Sequence, residues 1–250
     1  MIFKRFKFLL AKKDKDSEAI EVKSDAAKLP VNNKIVEFVG VSGIGKSTLY
    51  HATIKRLSGQ WKFNFFNLKF EESLFDNKIS EIHWSLLKDK LSNVDIYSCD
   101  HSRKIQLLSY FNKVLLDNLK MINENDQIGF FIEEGVSHNF SEELQKLSDE
   151  ELKVILKNRF LIYVKTNDPS IVVTQIRKRT NEGGHTVFHH IGLNDEQLSE
   201  LVVDDMKQLE SFFNRIEKIK IPFCSINIED GLEAGISKIV QFENQILRII

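Results

Sequence analysis

The sequence predicts an α/β fold: a doubly wound, mainly parallel five-stranded sheet with helices on both faces, preceded by a flexible N-terminal extension. Short apolar runs alternate with longer segments of helical periodicity, a pattern typical of strands that helices bury on both sides. The composition, 42% hydrophobic and 28% charged, is that of a globular protein. No apolar run of the chain approaches the roughly 18 residues that a membrane-spanning helix needs.

Residues 1–32 are predicted to be a basic and polar extension, and residues 33–250 the folded domain. The apolar side chains of residues 1–13 recur at helical spacing between lysines and an arginine, which argues against a signal peptide. Two interpretations remain open. The segment is either an amphipathic helix resting weakly on an anionic membrane surface, or an extension that is mobile or docked on the domain.

The first half of the domain begins with IVEFV, whose β-branched and aromatic side chains predict a buried strand. Predicted helices and strands alternate in the segments that follow, and two long helices form an insertion of about residues 70–125. The predicted elements of this half are a strand at 35–39, a helix at 46–57, a strand at 61–68, and helices at 79–91 and 102–123.

The second half continues the alternation with the apolar runs IGFFI and FLIYV. Asp168 and Pro169 are an N-cap and a first-turn proline, so a helix begins there. A long helix with acidic residues in its first turn follows. The predicted elements are strands at 128–132, 160–164 and 221–228, and helices at 168–180, 194–219 and 231–250.

The most informative segment matches the P-loop pattern GxxxxGK[ST] at every fixed position, between a predicted strand and a predicted helix. Its glycines allow successive backbone N–H groups to point inward and form an anion-binding nest. Lys46 is suited to neutralise β- and γ-phosphate oxygens, and the Ser47 hydroxyl to bind Mg²⁺. The predicted nucleotide-binding residues are Gly40, Val41, Ser42, Gly43, Ile44, Gly45, Lys46, Ser47 and Thr48. The segment therefore predicts binding of a nucleoside triphosphate.

Two carboxylates, Glu133 and Glu134, follow the third predicted strand. In a doubly wound sheet this strand end lies beside the P-loop. Glu133 is predicted to bind Mg²⁺ together with Ser47, and Glu134 to accept a proton from the acceptor hydroxyl. The alternative is that both are simply solvated.

A basic cluster ends the helix that begins near Asp168, and a glycine-containing flap of about residues 177–193 follows. Arg177 and Arg179 point roughly 200° apart on a helix, so one of them is expected to face the phosphates. The alternative is a solvated basic helix end that complements the macrodipole. The flap histidines 185, 189 and 190 lack further zinc ligands at short spacing, so they favour phosphate or substrate contact, or a plain surface role.

These features resemble the P-loop kinases of the nucleoside and nucleotide kinase group, in the P-loop NTPase superfamily, over about residues 34–250. The resemblance implies a flap helix with two arginines, of which this chain keeps Arg179 and has Gln175 in place of the other, leaving Arg177 as a substitute. It also implies that Asp230 lies near the adenine, and that Glu71 is a second candidate for the catalytic base. The motif DR[YHS] of thymidylate kinases is absent, so the substrate does not carry over.

The predicted function is ATP- and Mg²⁺-dependent phosphoryl transfer to a small acceptor such as a nucleoside, a nucleotide or a sugar. One alternative is an NTP-binding regulatory or adaptor protein with slow hydrolysis; another is a polynucleotide end kinase. The net charge of −1 argues against a nucleic-acid partner. The two cysteines suggest reduced thiols, hence a cytoplasmic protein, in one interpretation peripheral at the inner membrane face.

Overall fold

A computed structural model describes residues 34–63, 77–96, 100–123, 129–183 and 190–248. It confirms the predicted fold class: one five-stranded sheet in the order β2-β3-β1-β4-β5, with every neighbouring pair parallel. The N-terminal extension, residues 64–68 of the predicted second strand, Glu71 and residues 184–189 of the flap lie outside the described residues. The strands are β1 Ile35–Val39, β2 Trp61–Lys62, β3 Gly129–Ile132, β4 Arg159–Lys165 and β5 Phe223–Asn227.

Helices occupy most of the described chain between the strands. They are α1 Lys46–Thr53, α2 Asn77–Ile96, α3 His101–Asn123, α4 Val136–Asn139, α5 Ser141–Leu144, α6 Asp149–Ile155, α7 Pro169–Asn181, α8 Asp195–Lys218 and α9 Leu232–Arg248. Short 3₁₀ turns follow α1 at Ile54–Arg56 and β5 at Ile228–Asp230.

The short helices α4, α5 and α6 were not predicted. Two of them have four residues each, too few to show a helical period. The third begins with a capping box, in which the Ser148 side chain accepts a hydrogen bond from the backbone N–H of Glu151, and the Glu151 carboxylate accepts one from the backbone N–H of Ser148. That Ser-x-x-Glu spacing was a usable signal for α6.

Helices α8 and α9 lie on opposite faces of the sheet. Tyr163 of β4 stacks on Phe213 of α8, with ring centroids 4.0 Å apart. The next residue of β4, Val164, is paired with Ile226 of β5 and faces the other way. On that second face Ile226 contacts α9 at Gly235, as does Leu49 of α1. Each face of the sheet is therefore covered, as the doubly wound arrangement requires.

A buried carboxylate anchors the loop that precedes β2. Glu243 of α9 is 1% exposed. It accepts hydrogen bonds from the backbone N–H groups of Ser58, at 3.1 Å, and Gly59, at 2.7 Å, and from the indole N–H of Trp61, at 2.7 Å. These bonds satisfy the carboxylate inside the fold and join the loop to the last helix.

Candidate active site

The loop between β1 and α1 has the backbone shape of an anion-binding nest. Gly45, the residue before α1, has φ of 96°, and Gly43 has φ of 87°. Both values lie in the left-handed region that favours glycine. The loop thus leads into the N-terminus of α1, where unpaired N–H groups favour a negative charge.

The side of the loop that faces strand β4 and helix α7 is closely packed. A Cβ atom at Gly40 would lie 2.5 Å from the carbonyl oxygen of Val164, and one at Gly43 would lie 2.5 Å from Cγ1 of Ile176. Strand β4 and helix α7 therefore touch the loop directly, and a side chain at either glycine would displace them.

Lys46, the first residue of α1, is 5% exposed and lies at the centre of the site. Its ammonium donates to the carbonyl oxygens of Gly40, at 3.0 Å, and Val41, at 3.2 Å. It also lies 3.6 Å from a carboxylate oxygen of Glu134. Burial lowers the pKa of Lys46, the charges of Glu134 and Glu133 oppose that shift, and the charge of Arg179 adds to it.

Ser47 and Glu133 lie together at the edge of the site. The Ser47 hydroxyl donates a short hydrogen bond to Oε1 of Glu133. In the part of the chain that the structure describes, no group of three or more histidine, cysteine and acidic side chains could hold a metal ion. Mg²⁺ usually takes one or two carboxylates, several waters and substrate phosphates, so a hydroxyl beside a carboxylate suits it.

Glu134 lies beside Lys46, and its side chain is 38% exposed. Besides Lys46, its Oε1 atom lies 3.3 Å from Nε2 of His138. Close by, the Tyr110 hydroxyl of α3 hydrogen-bonds with the side chain of Asn139. Tyr110 as a residue is 42% exposed; desolvation of its hydroxyl raises its pKa, and the negative charge of Glu134 raises it further. His138 was not among the predicted site residues, although its spacing of four residues from Glu134 can be read from the sequence.

A second buried carboxylate, Glu37 of β1, holds the loop that carries Glu133 and Glu134. Glu37 is 0% exposed. It accepts hydrogen bonds from the backbone N–H groups of Gly135, at 3.1 Å, and His138, at 2.9 Å, and from the Ser137 hydroxyl at 3.0 Å. A Cβ atom at Gly135 would lie 2.8 Å from the carboxyl carbon of Glu37, so only glycine allows this approach.

Arg159 connects this carboxylate to helices α2 and α3. Its guanidinium is fully buried and donates short hydrogen bonds to Glu37 and to the side-chain oxygen of Asn118 on α3. The Asn118 amide in turn lies 2.9 Å from Nε2 of His83 on α2. Burial lowers the pKa of His83 to about 4, so the ring is neutral at pH 7 and Nε2 accepts this bond.

The two arginines near the end of α7 have different surroundings. Arg177 is engaged by the start of α8: its Nε lies 2.7 Å from Oδ1 of Asp195, and its Nη2 lies 2.7 Å from the carbonyl oxygen of Leu193. Arg179 has buried Nε and Nη2 atoms with no hydrogen-bond partner among the described residues. Arg179 follows Ile176, which packs against Gly43 of the loop, by three residues on α7, and its charge contributes to the lowered pKa of Lys46.

The structure describes some of the other predicted site residues. Asp230 is exposed in the 3₁₀ turn after β5. Its neighbour Glu229 accepts a hydrogen bond of 3.2 Å from the backbone N–H of Asn167, which joins the loops after β5 and β4. His190 is 3% exposed, whereas the other two flap histidines and Glu71 lie outside the described residues. The adenine contact of Asp230 stays a prediction.

Within the described ranges, no helix has the length and apolar character needed to cross a membrane. The chain matches no protein-family model and no curated protein. Solved structures similar to it include deoxyadenosine kinase from M. mycoides with bound dCTP, at 16% identity over 84% of this chain and 99% of that chain, with a TM-score of 0.45. Shikimate kinase from Bacteroides thetaiotaomicron is 10% identical over 84% and 98%, with a TM-score of 0.45.

The M. mycoides deoxyadenosine kinase with bound dATP is 17% identical to this chain over 84% of it and 98% of that chain, with a TM-score of 0.42. Similarity at this level identifies neither activity nor substrate. The proposals below therefore rest on the chain's own residues.

Proposed function

We propose that this protein is an ATP- and Mg²⁺-dependent kinase that transfers the γ-phosphoryl group to a small-molecule acceptor. The observation that carries the proposal is the convergence of three elements on Lys46. Helix α1 supplies the lysine, the loop after β3 supplies Glu133 and Glu134, and α7 supplies Arg179, and all three act on the same ammonium group. A simple nucleotide-binding module needs only the first of these.

The residues fit a triphosphate and a magnesium ion. The buried Nε and Nη2 atoms of Arg179, which have no hydrogen-bond partner among the described residues, offer donors for phosphate oxygens, and Gly43 and Gly45 place no Cβ atom beside their backbone N–H groups. Ser47 and Glu133 would hold Mg²⁺, which would supply positive charge next to the transferred group.

In the transfer step, a lone pair of the acceptor oxygen forms the new P–O bond. The bond between the γ-phosphorus and the bridging oxygen breaks, and its electron pair leaves with ADP. We assign Glu134 to accept the proton of the acceptor hydroxyl, since it is exposed and lies next to Lys46. Lys46 and Arg179 stabilise negative charge on the phosphoryl oxygens in the transition state.

The test is Arg179→Ala. We expect kcat to fall by about a thousandfold, the scale for removing a charge-stabilising arginine, while the Kd of ATP changes only a few-fold. The neighbouring Lys178→Ala is the matched control, because Lys178 is exposed on the same helix turn, and it should leave kcat unchanged. The measurements are steady-state kinetics with γ-labelled ATP and calorimetry of nucleotide binding.

Arg177→Ala separates the two candidate arginines. It breaks the contact with Asp195, so we expect a smaller loss than for Arg179→Ala. An equal or larger loss in Arg177→Ala would assign the phosphate contact to Arg177. Slow ATP hydrolysis that is the same in both variants, with no label transferred to an acceptor, would instead support a regulatory protein that binds nucleotide without transferring its phosphoryl group.

A further inference from the structure

We propose that His138 is a positioning residue that holds the carboxylate of Glu134 away from Lys46, so that the ammonium group stays available to the triphosphate. The inference rests on the proposed kinase function and adds a residue to its site. His138 lies on the short helix α4, four residues after Glu134. It belongs to none of the sequence motifs that predict the site.

One carboxylate oxygen of Glu134 lies close to two nitrogen atoms. Its Oε1 atom is 3.3 Å from Nε2 of His138 and 3.6 Å from the ammonium nitrogen of Lys46. A carboxylate only accepts hydrogen bonds, so the proton of a neutral His138 ring belongs on Nε2 in this contact. The ring therefore attracts the same oxygen that Lys46 attracts.

Lys46 is not closely paired with Glu134. A hydrogen-bonded ammonium and carboxylate have an N–O distance of roughly 2.7–2.9 Å, and the observed 3.6 Å is longer. The ammonium group instead donates to the carbonyl oxygens of Gly40, at 3.0 Å, and Val41, at 3.2 Å. Because Lys46 is 5% exposed, a carboxylate in close contact would neutralise its charge with little competition from water.

The position of Glu134 decides how much of the Lys46 charge a phosphate can meet. Burial lowers the pKa of Lys46, and among the charges that act on it Glu134 has the largest effect, ahead of Glu133 and Arg179. Glu133 is engaged by the Ser47 hydroxyl. The Glu134 side chain is 38% exposed and has room to move.

The His138 ring is itself held in place. The backbone N–H of His138 donates to Oε1 of the buried Glu37 at 2.9 Å. The side chain is 18% exposed, and its Nδ1 atom is buried without a hydrogen-bond partner among the described residues. A ring that is anchored and packed in this way loses little conformational freedom when it fixes the more exposed carboxylate.

The test is a double-mutant cycle that measures ATP affinity and needs no turnover. Calorimetry with Mg²⁺ and a non-hydrolysable ATP analogue gives Kd for the wild type, His138→Phe, Glu134→Gln and the double variant. We expect His138→Phe to raise Kd by about tenfold, the scale of one interaction with a charged group, because Glu134 then closes on Lys46. When Glu134→Gln is also present, His138→Phe should change Kd by less than about twofold.

Two further variants separate this contact from a general disturbance of the fold. His138→Gln keeps an N–H donor on a side chain of similar reach, so its Kd should match that of the wild type. His51→Phe makes the same replacement at an exposed histidine of α1, and it should leave Kd unchanged. Urea unfolding checks that each variant is folded, and His138→Leu takes the place of His138→Phe if the latter is not.

An unchanged Kd in His138→Phe would overturn the inference, as would an equal loss of affinity with and without Glu134→Gln. The same holds if His138→Gln binds as weakly as His138→Phe. A wild type that binds no ATP analogue would contradict the proposed function, and the inference with it; the first titration distinguishes this result from the others.

Discussion

Two buried glutamates, Glu37 and Glu243, perform the same structural task in different parts of the molecule. Each is at most 1% exposed, and each accepts hydrogen bonds from two backbone N–H groups of a loop distant in sequence. Glu243 fixes the loop before β2, and all of its donors are neutral. Glu37 fixes the loop that carries Glu133 and Glu134, and it also binds the buried Arg159. Glu243 therefore supports only the fold, whereas Glu37 also holds in place the loop that carries Glu133 and Glu134.

The largest expected difference is in turnover. Glu37→Gln and Glu243→Gln each replace one oxygen by an amide nitrogen that repels the N–H donors, so both should destabilise the protein. Only Glu37→Gln should lower kcat, by about 10- to 100-fold, because displacement of catalytic groups by about 1 Å has effects of this size. Steady-state kinetics on the folded variants measure the effect, and the KM for ATP should stay unchanged. Equal kcat losses in both variants would abolish the distinction between the two glutamates.

The next effect is on stability. Arg159→Met leaves Glu37 buried without its cation, and we expect the free energy of unfolding to fall by about 3–5 kcal/mol. Arg56→Met, which breaks the exposed pair with Glu233, should leave Tm nearly unchanged. Urea unfolding at pH 7 measures the first change.

The double variant Glu37→Gln/Arg159→Met tests whether the pair is the cause. It removes both charges, so its destabilisation should be smaller than the sum of the single changes by about 1–3 kcal/mol. Strict additivity would show that the two side chains do not interact in solution.

The smallest effect depends on pH. Because the pKa of His83 is lowered from 6.5 to about 4 on folding, the folded protein binds fewer protons between these values. Above pH 6.5 the folded state has no penalty from His83; the penalty grows as the pH falls from 6.5 and is complete below about pH 4. At pH 5 we expect His83 to cost roughly 2 kcal/mol relative to pH 7.

The variant His83→Gln should remove this loss, so the measured quantity is the difference between the two proteins at each pH. Asp205, whose pKa burial raises to about 6, changes stability in the opposite direction over part of this range. Its effect is the same in both proteins and cancels. An identical pH dependence of the wild type and His83→Gln would contradict a buried, neutral His83.

Local patterns predicted the strand, loop and helix around Lys46. The P-loop was recognisable because its strand, glycines and helix are consecutive in the chain. Asp168 and Pro169 likewise predicted the start of α7, and the structure shows Asp168 accepting a hydrogen bond from the backbone N–H of Ser170. Such features depend on neighbours within a few residues, which a sequence displays directly.

The contacts that hold the loop carrying Glu133 and Glu134 were not predictable in the same way. Glu37 and Arg159 are 122 residues apart, and each looks like an ordinary charged residue at a strand. Only the parallel pairing of β1 with β4 brings them together. Likewise, the helical spacing of Arg177 and Arg179 predicted that their side chains point in different directions. It did not predict the partners of Arg177, because Leu193 and Asp195 lie at the end of the flap and the start of α8.

The contact between Gly43 and Ile176 has a consequence for how this protein varies. A Cβ atom at position 43 would lie 2.5 Å from Ile176, and the φ of 87° at Gly43 independently favours glycine. Position 43 should therefore stay glycine among related chains, even where position 176 changes. Arg179 lies one helical turn beyond Ile176, so a change in the packing of position 176 on Gly43 would also move the Arg179 guanidinium relative to Lys46.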